Sequence, residues 1–88
     1  MTEKITSKHE PLLKRLARVE GQIRGIQAMI QREAECELIA QQFSAARRAL
    51  DKAYQEMLAC LLEETVLNSS EDKAQTLQEV RKIFTKYT

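Results

Sequence analysis

Apolar residues recur along most of the chain at the alternating spacings of four and three that are typical of an amphipathic helix. The first series consists of Leu12, Leu16, Val19, Ile23, Ile26 and Ile30. The second series consists of Ile39, Phe43, Ala46, Leu50, Ala53, Met57, Cys60 and Glu64. Between them, residues 31–37 are almost all polar and break the repeat, although they include no Gly or Pro. The pattern therefore predicts two helices and not one long helix.

A shorter series near the C-terminus predicts a third helix through Leu77, Val80, Phe84 and Tyr87. Ser69 or Ser70 is its expected N-cap, because a Ser hydroxyl accepts hydrogen bonds from first-turn N–H groups. Pro11 suits the first turn of the first helix. The predicted organisation is a polar N-terminal arm over residues 1–9 and one helical domain over residues 10–88, with helices at about 10–32, 36–66 and 70–87.

The composition favours a small all-α domain. The chain of 88 residues has only two Gly, one Pro and no Trp, and strong helix formers dominate it. The second predicted helix has further apolar residues outside its main series: Leu38, Tyr54, Leu58, Leu61 and Leu62. Because a two-helix hairpin would leave this wide apolar face in water, we expect a dimer in which two hairpins form an antiparallel four-helix bundle.

Several classes of protein do not fit the sequence. Two cysteines do not make a secreted disulfide framework, and we find no apolar leader or membrane-length apolar run. We therefore expect a cytoplasmic protein without a membrane partner. His9 is the only histidine, and no Ser/His/Asp set, Cys/His set or Gly-rich phosphate loop is present. An enzyme is not expected.

The net charge of +1 conceals an uneven distribution of charge. Residues 1–32 hold seven Lys/Arg against three Asp/Glu, whereas residues 53–72 hold five Asp/Glu and no Lys/Arg. A basic face attracts nucleic acid. The candidate cations are Lys14, Arg15 and Arg18 on the first helix and Arg47, Arg48 and Lys52 on the second. The alternative is an ordinary solvated face whose charges interact within one helix.

One block of sequence is specific enough to indicate a family. Residues 18–26 read RVEGQIRGI, Cys36 follows ten residues later, and residues 41–47 read QQFSAAR. This pattern resembles the copper-sensitive-operon repressor family, whose branches include nickel/cobalt, formaldehyde and reactive-sulfur sensors. The resemblance covers roughly residues 10–66. It implies a three-helix protomer, a four-helix-bundle dimer and a dimer-of-dimers homotetramer that binds operator DNA without a helix-turn-helix.

The resemblance also implies roles for individual residues. Cys36 matches the family's first sensing cysteine, at the start of the second helix, where an effector causes release of the DNA. The alternative is that Cys36 is a small buried core residue. The six candidate cations would contact phosphates of double-stranded operator DNA, with Gln22 and Arg24 as secondary candidates.

The sequence departs from the metal-binding branches of this family. The copper branch has a His and a Cys 25 and 29 residues after the first cysteine, on the facing protomer, and here those positions are Leu61 and Thr65. Copper(I) prefers soft thiolate and imidazole ligands, and one Cys does not complete such a site. The nickel/cobalt branch needs His ligands, for which His9 is a weak candidate. No cofactor is required, and a metal ion at Cys36 is kept as an alternative.

The remaining branches favour thiol chemistry. The formaldehyde branch has Thr or Glu where the copper branch has its last cysteine, which Thr65 fits, but it uses an N-terminal proline that this chain lacks. The reactive-sulfur branch uses two cysteines on opposing protomers. Here the second is Cys60, 24 residues after Cys36; it is either a core residue or the partner of Cys36 across protomers.

The sequence therefore predicts a repressor that releases DNA when a small effector modifies Cys36, with sulfur species or an aldehyde slightly favoured. A copper or nickel/cobalt sensor of the same family is the first alternative. A helical protein–protein interaction module without DNA binding is the alternative from another class.

Overall fold

The computed structural model describes the backbone of residues 2–69 and 72–88, and the side chains of residues 9–69 and 72–88. The described residues form three α-helices and no strand: α1 (Thr2–Gln31), α2 (Cys36–Leu67) and α3 (Lys73–Tyr87). The predicted all-α, three-helix protomer is therefore confirmed. The bundle dimer and the tetramer stay predictions.

The start of α1 differs from the prediction. The helix begins at Thr2 and includes Pro11 in its interior, whereas the sequence indicated a polar arm over residues 1–9 and a helix from about residue 10. A proline lacks the N–H of one helical hydrogen bond, but it does not have to end a helix whose neighbouring bonds form. The side chains of residues 1–8 lie outside the described part of the chain.

The turn between α1 and α2 is a Schellman motif without glycine. The N–H of Ala34 donates to the carbonyl of Met29 at 2.9 Å, and the N–H of Glu33 donates to that of Ile30 at 3.1 Å. Glu33 has a φ of 58°, the left-handed conformation for which glycine is usual at this position. These bonds satisfy the last carbonyls of α1 and end the helix, so that α2 starts at Cys36.

The N-cap of α3 is Asp72 and not Ser69 or Ser70. The Asp72 carboxylate accepts hydrogen bonds from the backbone N–H of Ala74 at 3.1 Å and of Gln75 at 3.4 Å. The hydroxyl of Ser69 instead donates to the carbonyl of Val66 at 2.8 Å, and Ser70 lies outside the described residues. The helix consequently begins at Lys73, three residues later than predicted.

The chain divides into two compact units, Met1–Tyr54 and Gln55–Thr88, and α2 contributes to both. In the first unit the buried side chains are Val19 and Ile26 of α1 and Ala46 and Ala53 of α2. The two alanines allow the helices of this hairpin to approach closely, because interhelical distance depends on side-chain size at the contact. In the second unit Leu58 is buried, whereas α3, all of whose residues are described, has no buried side chain.

One side of the α1–α2 hairpin is an open apolar groove. Its main cavity has a volume of about 700 Å³ and is lined chiefly by Ile23, Ile30, Phe43 and Leu50. These four side chains are 48–54% exposed. A second cavity of about 400 Å³ continues the groove past Leu16. The hairpin of the first unit therefore has a continuous apolar surface that its own residues do not cover.

Within the described residues, none of the helices has a stretch long and apolar enough to cross a membrane.

Candidate sensor cysteine and DNA-binding face

Cys36 is the first residue of α2, and its side chain is exposed and not in a disulfide. Its position follows from the Schellman turn, which ends α1 and reverses the chain immediately before it. The N–H groups of the first helical turn have no partner within the helix, so the thiol lies beside a set of backbone donors. Exposure contradicts the alternative that Cys36 is a buried core residue of the protomer.

Cys60 has a different environment. It is half-buried and free in the middle of α2, and it belongs to the second unit, whereas Cys36 belongs to the first. Its place in the apolar series agrees with a core cysteine. A bond between Cys36 and Cys60 of a second copy stays a prediction.

The positions that carry metal ligands in the copper branch have no side chains here that are typical metal ligands. Leu61 has no donor atom in its side chain, and the Thr65 hydroxyl donates to the carbonyl of Leu61 at 2.9 Å. His9 is half-buried on α1. Within the part of the chain that the structure describes, no group of three or more His, Cys, Asp or Glu side chains is arranged to hold a metal ion. The donor set of one protomer therefore does not fit a complete metal site.

The candidate cations of α1 differ in exposure and pairing. Lys14 and Arg18 are exposed and lie four residues apart on one face. Arg15 is half-buried and already makes a contact within the structure. Arg24 lies 3.9 Å from the Glu20 carboxylate, with both side chains exposed, and an ion pair of this kind contributes little. Lys14 and Arg18 are thus the most available cations of this helix.

The candidate cations of α2 do not share one face. Arg48 donates from Nη1 to the Ser44 hydroxyl at 2.8 Å, which holds its guanidinium along the helix surface. Arg47 lines the apolar groove. Lys52 is exposed, and helical periodicity places it on the side of α2 away from Phe43 and the groove.

Periodicity likewise places Arg18 on the side of α1 away from the groove, whereas Arg15, four residues before the buried Val19, lies at the boundary between that side and α2. Leu50 shares a cavity with Leu13 and Leu16, so this level of α2 packs beside the N-terminal half of α1. The hairpin consequently brings Arg18 and Lys52 to one face at a similar level, with Arg15 at its edge. Arg47 and Arg24 are separated from them, which the sequence did not reveal.

Gln22 lies on the same side of α1, one heptad after Arg15. Its side chain is half-buried, and its Oε1 is fully buried without a hydrogen-bond donor among the described residues. A buried acceptor without a donor costs about 1–3 kcal/mol. Because Oε1 is enclosed by the protomer itself, a donor from DNA or from another protomer would reach it only after a rearrangement of the side chain.

The two glycines of the RVEGQIRGI block are not required by packing inside the protomer. A Cβ added at Gly21 or Gly25 would meet nothing within 4 Å among the described atoms. Both lie in α1, where a glycine costs about 1 kcal/mol relative to alanine. Close approach by another part of the same chain therefore does not explain why these two positions are glycine.

One cationic cluster was not among the predicted site residues. Arg81, Lys82 and Lys86 line an open cavity on α3 together with Gln78 and Thr85. No role was predicted for these cations from the sequence. Lys82 and Lys86 are four residues apart, with Arg81 beside them, and this spacing is the signal from which a shared face could have been predicted.

Comparison with known proteins agrees with the sequence motif. The chain is 30% identical over 90 residues to the copper-sensing transcriptional repressor CsoR of Bacillus subtilis (strain 168), an alignment that covers 100% of this chain and 89% of the relative. No solved structure gives a significant match. The family model described as metal-sensitive transcriptional repressor matches residues 8–86. The chain therefore belongs to the metal-sensitive transcriptional repressor family, whose members are repressors and not enzymes.

Proposed function

We propose that this protein represses transcription by binding operator DNA as an oligomer of hairpins and that an effector at Cys36 releases the DNA. The observation that carries the proposal is the position of Cys36, exposed at the first residue of the helix that also holds Arg47, Arg48 and Lys52. Membership of a repressor family provides the DNA-binding context.

The DNA-binding face is proposed to include Arg15, Arg18 and Lys52. Lysine and arginine contacts to phosphates supply most of the sequence-independent affinity for a duplex and make it strongly dependent on salt. Lys14 extends this face along α1, and Gln22 is a secondary candidate beside it, although its Oε1 is buried within the protomer. Arg24, Arg47 and Arg48 are secondary candidates, because they lie elsewhere on the hairpin or are engaged by Glu20 or Ser44.

A second copy of the chain is the proposed occupant of the apolar groove. Burying four half-exposed side chains contributes on the order of 4 kcal/mol, and a chain of this length gains much from such association. The groove would then become the core of a four-helix bundle, and two such dimers would form the tetramer that the family resemblance implies.

Regulation is proposed to act through α2 as a rigid element. Lys52 lies about 24 Å along the helix from Cys36 at 1.5 Å per residue. A bond from Cys36 to a neighbouring protomer would shift α2 against α1 and change the spacing of the cations on the two helices. Allosteric coupling is typically about 1–3 kcal/mol, so the shift of α2 needs to weaken the free energy of DNA binding only by about that amount.

Two classes of effector are supported by different observations. The family and the copper-sensing relative favour a soft metal ion, with the further ligands supplied from outside the donor set of one protomer. The replacement of ligand positions by Leu61 and Thr65 favours thiol chemistry with sulfur species or an aldehyde. His9 remains the weakest candidate ligand. A helical interaction module without DNA binding is the rival from another class.

The test is fluorescence anisotropy on a labelled duplex from upstream of the protein's own gene. Reduced wild type, Cys36→Ala and Cys60→Ala are titrated alone and with polysulfide, formaldehyde and copper(I). We expect Cys36→Ala to bind as wild type does. One effector should weaken wild-type binding by about 5–150-fold and leave Cys36→Ala unaffected.

Cys60→Ala is the matched control, because it removes the other thiol of the same helix. Release of Cys60→Ala by the effector assigns sensing to Cys36 alone, whereas its failure to respond to polysulfide supports a bond between the two cysteines of different protomers. If Cys36→Ala is released as readily as wild type, the sensor assignment is wrong. Absence of wild-type binding to any duplex at low salt would support the interaction module.

A further inference from the structure

The third helix has two chemically distinct sides. Val80 and Ile83 are half-buried and lie on one side of the helix. The opposite side consists of exposed cations, Arg81, Lys82 and Lys86, with the hydrogen-bonding side chains of Gln78 and Thr85 between them, around an open cavity of about 550 Å³. These five residues are called the α3 cationic face below.

The charges of this face are not neutralised within the structure. Among the described residues, no carboxylate forms an ion pair with any of the three cations. The nearest contact is between the Lys86 ammonium and the Tyr87 ring, 5.4 Å from its centroid. Glu79, the only acidic residue of α3, lies at the edge of this face, three residues before Lys82, but among the described residues it forms no ion pair with Lys82 or Lys86. The face therefore presents three cations to solvent.

Helix stability does not explain this arrangement. Cations interact favourably with the dipole only in the last turn of a helix, which includes Lys86 but not Arg81 or Lys82. Lys82 and Lys86 are four residues apart, and like charges at this spacing repel. The face also follows a strongly acidic segment, so it does not reflect a general excess of basic residues in this half of the chain.

We propose that the α3 cationic face binds backbone phosphates of duplex DNA, as a contact additional to the one on α1 and α2. This inference rests on the proposed repressor function. Lys, Arg, Gln and Thr side chains are common donors to phosphate oxygens, whereas no apolar residue lines the cavity for a protein partner and no aromatic residue lines it for stacking on bases. The contact adds affinity without sequence preference.

The test measures how the affinity for an arbitrary duplex depends on salt. Lys82→Gln is compared with Lys73→Gln, which removes the same charge from an exposed position of the same helix but on its other side. Each phosphate contact that is lost reduces the slope of log K against log salt by about 0.9. We expect that reduction for Lys82→Gln, about twice that for Lys82→Gln/Lys86→Gln, and the wild-type slope for Lys73→Gln.

Arg18→Gln separates this inference from the proposed function. If Arg18→Gln lowers the slope but Lys82→Gln and Lys73→Gln both keep the wild-type value, the α3 contact is wrong and the repressor proposal stands. If the wild type binds no duplex at low salt, both proposals fail. A loss of oligomer mass in Lys82→Gln/Lys86→Gln with an unchanged slope would identify the face as a contact between copies and would also overturn the inference.

Discussion

At the scale of single residues, the local environment separates side chains that the sequence treats alike. Cys36 and Cys60 are both free cysteines of α2, but one is exposed at the helix start and the other is half-buried. Arg47 and Arg48 are neighbours, yet one lines the apolar groove and the other is bound to Ser44. A residue's suitability as a sensor or a phosphate contact therefore depends on which side of its helix it occupies.

Gln22 leads to a prediction at this scale. Gln22→Met replaces a buried, unsatisfied acceptor by an apolar group of similar length, so the free energy of unfolding should rise by about 1 kcal/mol. Urea denaturation at fixed protein concentration measures the change. Gln41→Met, at an exposed position of α2, is the control and should be nearly neutral. A less stable Gln22→Met protein would contradict the assignment of Oε1 as an unsatisfied acceptor.

At the scale of elements, hydrogen bonds decide where the helices end. The loss of the heptad phase predicted a break near residues 32–36, but no glycine or proline marks its position. The structure ends α1 with a Glu in the left-handed conformation. The start of α3 was misplaced for a related reason, since Ser69, Ser70 and Asp72 are all competent caps and only the backbone path selects Asp72.

Glu33→Gly should stabilise the turn between α1 and α2. Left-handed conformation costs a non-glycine residue about 1 kcal/mol, so relief of this strain should raise the free energy of unfolding by up to that amount while Cys36 keeps its position. Glu37→Gly is the control, and we expect it to lower the free energy of unfolding. Glu37 lies in the first turn of α2, where glycine costs about 1 kcal/mol. Chemical denaturation of both variants measures the difference. Equal destabilisation of the two would contradict the Schellman assignment.

At the scale of the whole molecule, the apolar groove is the surface that a second copy of the chain is proposed to cover. Only a few apolar side chains of the α1–α2 hairpin are buried. The side chains of Ile23, Ile30, Phe43 and Leu50 remain about half exposed. A stable protein of this composition is expected to cover such a surface. The groove lies on one side of the hairpin, and Arg18 and Lys52 lie on another. Association through the groove and DNA binding through these cations would therefore not compete for the same residues.

Phe43→Glu tests the groove as the dimer interface. A carboxylate buried there without a partner is costly, and we expect association to weaken on the order of 100-fold or more, with loss of operator binding. Sedimentation equilibrium measures the mass. Gln41→Glu introduces the same charge two residues away on the exposed side of α2 and should leave the mass unchanged. An undiminished oligomer in Phe43→Glu would exclude the groove as the interface.

The sequence by itself determined the helical class, the number of helices and the family. Periodic apolar spacing reports which face of a helix is buried, and the RVEGQIRGI block followed by Cys36 is a specific signature. These features depend only on residues that are close together in the sequence, so they are recognisable without the tertiary structure.

Tertiary structure alone decided which of the predicted residues lie together. In the first unit, helix register around the buried Val19 and Ala46 brings Arg18 and Lys52 to one face and sends Arg47 to the groove. In the second unit, the residues of the α3 cationic face are exposed. The backbone hydrogen bonds at Glu33 and Asp72 fixed the helix limits. Such outcomes depend on the relative rotation of packed helices and on competition between nearby caps, which spacing along the sequence does not encode.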